Sequence, residues 1–220
     1  LRGKDIKRYT YNYANLYLIC TFPSKHYDID KYPAIRDYLL SFDKRRLAQT
    51  GEKNIDGIKG FNARKKTGNK WFETQDQINY SDDFNKQKII YPNMTKYLPF
   101  YLDNNNFYIN QKCFIITGRH LGYLTAFLNS KLFKYCFRDS FPQLQGGTRE
   151  LSKIFFEKIK IKMVSDSLNE IFESKVIKLQ NSIVEAKDTT AIELEIDEMI
   201  LDLYNLAEKE KNQIMLFSIL

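Results

Sequence analysis

With 220 residues, 43% of them hydrophobic and 15% aromatic, the chain has enough apolar material for one domain with a core plus an appendage, which excludes an intrinsically disordered segment. Its formal net charge of +7 hides a step: residues 1–164 carry 29 Lys and Arg against 15 Asp and Glu, whereas residues 165–220 carry 5 against 12. A cationic body attracts a polyanion and an acidic end is repelled by it, so the two parts are expected to do different work, the acidic end facing away from any nucleic acid. Cys20, Cys113 and Cys136 are odd in number and lack paired spacing, which argues against a disulfide framework and a zinc site and for a reducing, cytoplasmic setting. No stretch reaches the roughly 18 apolar residues of a membrane helix, and no signal-peptide pattern is present. A first residue of Leu1 rather than Met leads to the expectation that the chain is a piece of something longer.

Tyr9 to Phe22, rich in Tyr, Leu and Ile without a helical period, reads as one or two strands. Pro33 opens a helix whose apolar residues Ile35, Leu39 and Phe42 lead to the cationic run Lys44-Arg45-Arg46, a favourable helix end. Residues 51–60 form a Gly-, Asn- and Asp-containing loop. Lys88 to Tyr91 is a short buried strand, and Asp103-Asn-Asn-Asn106 is turn chemistry that predicts a hairpin between two β-patterned pieces. Leu121, Leu124, Phe127, Leu128 and Leu132 define one helical face, and Pro142 with Gly146-Gly147 ends it. Leu151 to Lys162 mixes a short helix with Ile159-Lys-Ile161 as a closing strand. From Asp166 the period becomes helical again, with a stripe of Leu168, Phe172, Val176, Leu179 and Ile183. Thr190-Ala-Ile-Glu193 reads as a capping box that starts a second helix through Ile196, Met199, Ile200 and Leu203. The fold class expected is α+β, a mixed α/β domain over 1–164 followed by a helical hairpin over 165–220. The apolar seam of that hairpin fits either packing on its own domain or docking on a neighbour.

The residues that carry chemistry are those of binding. Arg64, Lys65, Lys66 and Lys70 crowd a Gly-containing loop beside Trp71, the composition of a phosphate-contacting surface, while Trp71 itself is expected in the core. Gln75, Gln77, Gln143 and Gln145 are candidates for base edges, since an amide meets adenine with a donor and an acceptor, although taken singly such a residue is more often just a polar loop residue. Gly146-Gly147 permit close backbone approach, with Arg149 following at an expected helix start. Arg119 completes the set of DNA-binding candidates. His26 and His120 stand alone, Asp82-Asp83 fits a solvated loop, and there is no Gly-rich phosphate loop, GxSxG or HExxH. No catalytic or metal-ligating set is expected.

Taken in order, several segments resemble the TaqI-like C-terminal specificity domain, the target recognition domain of type IIG restriction-modification enzymes. They are Leu1-Arg-Gly-Lys-Asp-Ile-Lys-Arg-Tyr9, Tyr32-Pro33 with its helix, Trp71-Phe-Glu73, Lys88-Ile-Ile-Tyr-Pro92, Tyr123-Leu-Thr-Ala-Phe-Leu-Asn-Ser-Lys-Leu132, Gly146-Gly-Thr-Arg149 with Ile159-Lys-Ile161, and Glu195 to Tyr204. The resemblance implies recognition of double-stranded DNA and a place beside upstream adenine-N6 DNA methyltransferase and endonuclease domains of the same polypeptide. S-adenosylmethionine and Mg2+ would serve those domains. The Asn-Pro-Pro-Tyr motif of the methyltransferase is missing, as no two of the five prolines are adjacent, and so is a PD-(D/E)xK nuclease motif. The competing readings are a fragment of a type I restriction specificity subunit, which ordinarily has two recognition domains, and a basic module for binding protein or RNA.

Overall fold

The Ile-Ile-Tyr run does become the centre of the largest sheet. The computed structural model describes residues 1–217 and divides the chain into two units, residues 1–16 with the chain from Asp82 onward, and Tyr17–Ser81. In the first unit β1 (Ile6–Lys7) and β2 (Thr10–Tyr11) form a minimal hairpin across Arg8 and Tyr9. The continuation expected as further strand has no regular structure: no strand pairs with it, and Tyr13, Leu16, Tyr17 and Leu18 are exposed.

The second unit contains α1 (Pro33–Leu40) and α2 (Lys44–Leu47). The single helix expected here is broken because Asp43 adopts a positive φ of 67° and its carboxylate accepts from the Arg45 N–H at 2.9 Å. The cationic run thus starts a new turn instead of ending a long one. Phe22, Ile29, Ile55, Ala63 and Phe72 are the buried apolar side chains of this unit.

Back in the first unit, β3 (Lys88–Pro92) is followed by β4 (Met94–Thr95), β5 (Tyr101–Asp103) and β6 (Cys113–Ile116). The three-stranded sheet has the order β5-β3-β6, antiparallel throughout, with Ile89 opposite Leu102 and Ile90 opposite Ile115. The predicted hairpin between β5 and β6 is therefore corrected, since each pairs with β3 on a different edge. Lys88 lies opposite Asp103 in the register and their side chains form an ion pair of 2.6 Å, both 0% exposed, which draws β5 to β3. Lys88 also donates to the Phe84 carbonyl at 2.7 Å, and the Asp103 carboxylate accepts from the N–H groups of Asn105 and Phe107 at 2.9 and 3.0 Å. Both faces of β3 are covered: Ile89 and Tyr91 join the helical core, while Ile90 packs with Ile6, Tyr101 and Cys113. A strand buried on both faces explains its uninterrupted apolar run.

The expected helix over 121–132 is two helices, α3 (Leu121–Asn129) and α4 (Lys131–Phe137), parted at Ser130, whose hydroxyl accepts from the Phe133 N–H at 3.1 Å. Asn129 clamps the segment before β5: its side-chain oxygen accepts from the Phe100 N–H at 3.1 Å and its amide donates to the Phe100 carbonyl at 2.8 Å. After β7 (Arg149–Glu150), paired with β4, comes α5 (Lys153–Phe156). Arg149 thus sits in a strand rather than at a helix start. Ile159-Lys-Ile161 forms no strand; Ile159 packs on the core from an irregular connection and Ile161 is exposed.

The chain ends in α6 (Asp166–Val184), α7 (Thr190–Leu203) and α8 (Glu208–Met215). Thr190 is the first residue of α7 rather than its cap, and Asp188, two positions before it, accepts from the Thr190 N–H and hydroxyl at 3.0 and 2.7 Å. Phe172, Val176 and Leu179 of α6 and Ile196, Ile200 and Leu201 of α7 are buried in one cluster with Tyr123, Phe127 and Phe133. A Cβ added at Gly122 would lie 2.4 Å from the Glu173 Cβ and 2.6 Å from its Cα, so α3 and α6 meet where only glycine fits. The architecture is a mixed α/β core over residues 1–160 followed by a helical region. Removing one partner of the Lys88–Asp103 pair strands a buried charge, so Lys88→Met should destabilise by about 3–5 kcal/mol in urea unfolding, and Lys88→Met with Asp103→Leu by markedly less.

Candidate nucleic-acid interface

In the second unit the basic loop is built around one guanidinium. Arg64 donates through Nε to the Leu47 carbonyl at 2.7 Å, through one terminal nitrogen to the Glu73 carbonyl at 3.0 Å, and through the other to the Trp71 carbonyl. Its partial burial lowers the guanidinium pKa. Gln49, buried, reinforces the arrangement by donating to the carbonyls of Lys70 and Glu73 at 3.1 and 2.8 Å and accepting from the Thr67 hydroxyl at 2.6 Å. The buried Glu73 carboxylate accepts from the Lys70 N–H at 2.7 Å. What the loop presents outward is Lys65, Lys66 and Lys70, all exposed. Trp71, expected in the core, is only half-buried, edge-on to Phe72 with the Lys44 ammonium 5.4 Å from its ring centre; Phe72 is the residue buried there. Gln75 is half-buried, and Gln77 accepts from the Ser24 N–H at 3.2 Å while remaining exposed.

The other candidates lie in the first unit. Gln143 and Gln145 are exposed on a loop closed by the Leu144 N–H to the Thr148 carbonyl at 2.8 Å and by the Thr148 hydroxyl to the Gln145 carbonyl at 3.1 Å. Gly146 and Gly147 have φ of 73° and 76°, the left-handed geometry this turn requires. Arg149 is only 6% exposed; it donates to the Phe141 carbonyl at 3.0 Å and to Asp139 at 2.6 Å, so it braces the loop from within. Arg119, with 84% of its side chain exposed, lies 3.7 Å from Asp166. A hydrogen bond from His120, with the Arg119 charge second, holds the Asp166 carboxyl below its usual range. The structure thus gathers Arg64, Lys65, Lys66, Lys70, Gln75 and Gln77 in one unit, and Gln143, Gln145 and Arg149 in one loop of the other.

One feature of the first unit is invisible to motif reading. A groove of about 1000 Å³ runs among the β1–β2 hairpin, the turn after β4, α4 and α7, and six cations line it, Lys4, Lys7, Arg8, Lys96, Lys131 and Lys134, against Glu193 and Asp197. Arg8 is ion-paired with Glu193, and Asp197 accepts from the Lys131 N–H at 2.9 Å. Burial, with the Arg8 charge second, lowers the Lys134 pKa to about 7, and burial raises that of Asp197. Among the described residues no group of three or more His, Cys, Asp and Glu is placed to hold a metal ion, the cysteines are free, and no helix is long and apolar enough to cross a membrane.

The model of the TaqI-like C-terminal specificity domain matches residues 1–161. The chain belongs to that family. A comparison with curated proteins finds no match. Membership makes this segment a specificity domain, the non-catalytic part of such systems, with the DNA-recognition role typical of type IIG restriction-modification. Several of the segments that carried the resemblance are architectural in this specificity domain: Asn129 ties α3 to the segment before β5, Ser130 caps α4, and Glu73 ties its loop. Replacing Arg64 by Lys removes the fork that holds three carbonyls and should cost on the order of 2–3 kcal/mol, with an altered emission of the sole tryptophan, Trp71, in the folded state. The Lys134 ammonium should titrate with a midpoint of about 7 by NMR of its side-chain resonances. Since the unfolded chain then holds the extra proton between that value and roughly 10.4, this group's contribution to stability should rise with pH across that window.

Proposed function

We propose that this specificity domain recognises a defined sequence in duplex DNA on behalf of a bifunctional enzyme, a restriction endonuclease joined to an adenine-N6 DNA methyltransferase in the same polypeptide. The family match over residues 1–161 carries the reading. The charge of residues 1–164 supports it, as does the way exposed cations and amides stand on braced loops. In this reading Lys65, Lys66, Lys70 and Arg119 contact phosphates, which positions the domain, while Gln75, Gln77, Gln143 and Gln145 approach base edges. Arg64 and Arg149 act behind them, because Arg64 is committed to three carbonyls and Arg149 is buried with its terminal nitrogens on the Phe141 carbonyl and Asp139.

The proposed division of labour at residues 164 and 165 follows charge. The helices from Asp166 bury their stripes in the core of the first unit and turn an acidic surface outward, which disfavours approach to phosphate and leaves that surface for the methyltransferase side of the enzyme. S-adenosylmethionine and Mg2+ belong to the upstream domains in this reading.

Selection of binding sites from a random duplex pool should enrich one motif; recovery of no motif, or tighter binding to RNA, would sink the proposal. On that motif, Gln145→Ala should cost about 1–3 kcal/mol while leaving random duplex unaffected. Lys65→Ala with Lys66→Ala should weaken every sequence alike and flatten the salt dependence by about 0.9 per lost contact.

A further inference from the structure

The groove of the first unit is left without a task by the loop-based reading. We propose that it binds the phosphodiester backbone of duplex DNA, forming a sequence-independent contact separate from the loops that read bases. The inference rests on the DNA-recognition reading above and adds a site to it.

Its cations come from stretches far apart in sequence, Lys4 and Lys7 near the start, Lys96 after β4, and Lys131 and Lys134 on α4, and the fold alone brings them to one concavity. The acids of the groove offset them only in part: Glu193 is ion-paired with Arg8, and the one charge of Asp197, which also accepts from the backbone N–H at the start of α4, is shared among Arg8, Lys131 and Lys134. Lys131 turns its ammonium to the Met215 carbonyl at 2.7 Å. Among the described residues, Lys4, Lys7, Lys96 and Lys134 have no acidic partner in an ion pair. Lys4, Lys7 and Lys96 are exposed, whereas Lys134 is partly buried with the Arg8 guanidinium as a neighbouring like charge. A cation desolvated beside another cation is relieved by an incoming anion, and the prolines and leucine of the wall lower the local dielectric in which that anion would sit.

The occupant is a chain of phosphates rather than one small anion, because the groove is lined by more cations without an acidic ion-pair partner than one small anion would neutralise. Tyr97, 61% exposed beside Lys96, offers an aromatic edge for the sugar of the same strand. The contact carries no sequence information, since an ammonium meets every phosphate alike.

The test is Lys4→Ala, Lys7→Ala and Lys96→Ala combined in the whole chain, all exposed positions, with circular dichroism and thermal melting used to show an unchanged fold. Fluorescence anisotropy with a duplex of arbitrary sequence, a duplex bearing the selected motif and a single strand, each titrated with NaCl, gives the readout. The triple variant should bind both duplexes roughly tenfold or more weakly at 0.1 M salt, with a log–log salt slope shallower by about 2.7 and an unchanged ratio between the two duplexes. A variant with the wild-type slope and affinity, alongside a weakened Lys65→Ala, Lys66→Ala protein, would overturn the groove while leaving DNA recognition intact. Preferential binding of the single strand, lost in the triple variant, would overturn the duplex as occupant. A wild-type chain indifferent to every duplex would remove the recognition reading and the groove with it.

Discussion

The topology of the first unit depends on an ion pair closed off from water. Lys88 and Asp103 stand opposite each other on β3 and β5, and every remaining demand of the two charges is met by backbone, the carbonyl of Phe84 on one side and the N–H groups of Asn105 and Phe107 on the other. Desolvating two charges is costly, and a pair so completely satisfied is tolerated because alternatives are worse: any other register leaves both charges buried and alone. The pair therefore selects which edge of β3 is filled by β5. The chain that follows must pass to the other edge, and β6 has one place left.

The same economy appears in the loops. A guanidinium has a planar fork of donors, and that fork is turned inward in Arg64, onto the end of α2 and the loop carbonyls of Trp71 and Glu73, and in Arg149, onto the Phe141 carbonyl and Asp139. Loops held in this way lose little further freedom when they meet a ligand, which is the condition for irregular backbone to present side chains with fixed geometry. The inward hydrogen bonds of the two arginines fix the backbone from which the neighbouring Lys and Gln side chains project.

Much of the fold was legible because it rests on local pattern. The stripes of α6 and α7, the apolar run of β3 and the break at Pro142 and Gly146-Gly147 all follow from periodicity and turn chemistry. What could not be read was pairing. Asp103-Asn-Asn-Asn106 is a turn, yet nothing local says that Asp103 is bound to Lys88, and so the hairpin was assigned to the wrong neighbours. Asp43 ended a helix that periodicity would continue, through a positive φ that composition does not show. The cationic groove was missed for a related reason. Lys4, Lys7, Lys96 and Lys134 are unremarkable one at a time, and only the tertiary fold places them together, whereas the dense Arg64 to Lys70 cluster announces itself.

Residues 17–81 leave the first unit once and return once, and they bring their own buried side chains with them. Neither the Lys88–Asp103 pair nor the packing of α3 on α6 includes a residue from this insertion. The register of β3 against β5 and the approach of α3 to α6 are therefore set by residues outside it. With Arg64, Gln49 and Glu73 bonding within it, the segment carries its own internal bracing between two junctions with the rest of the chain.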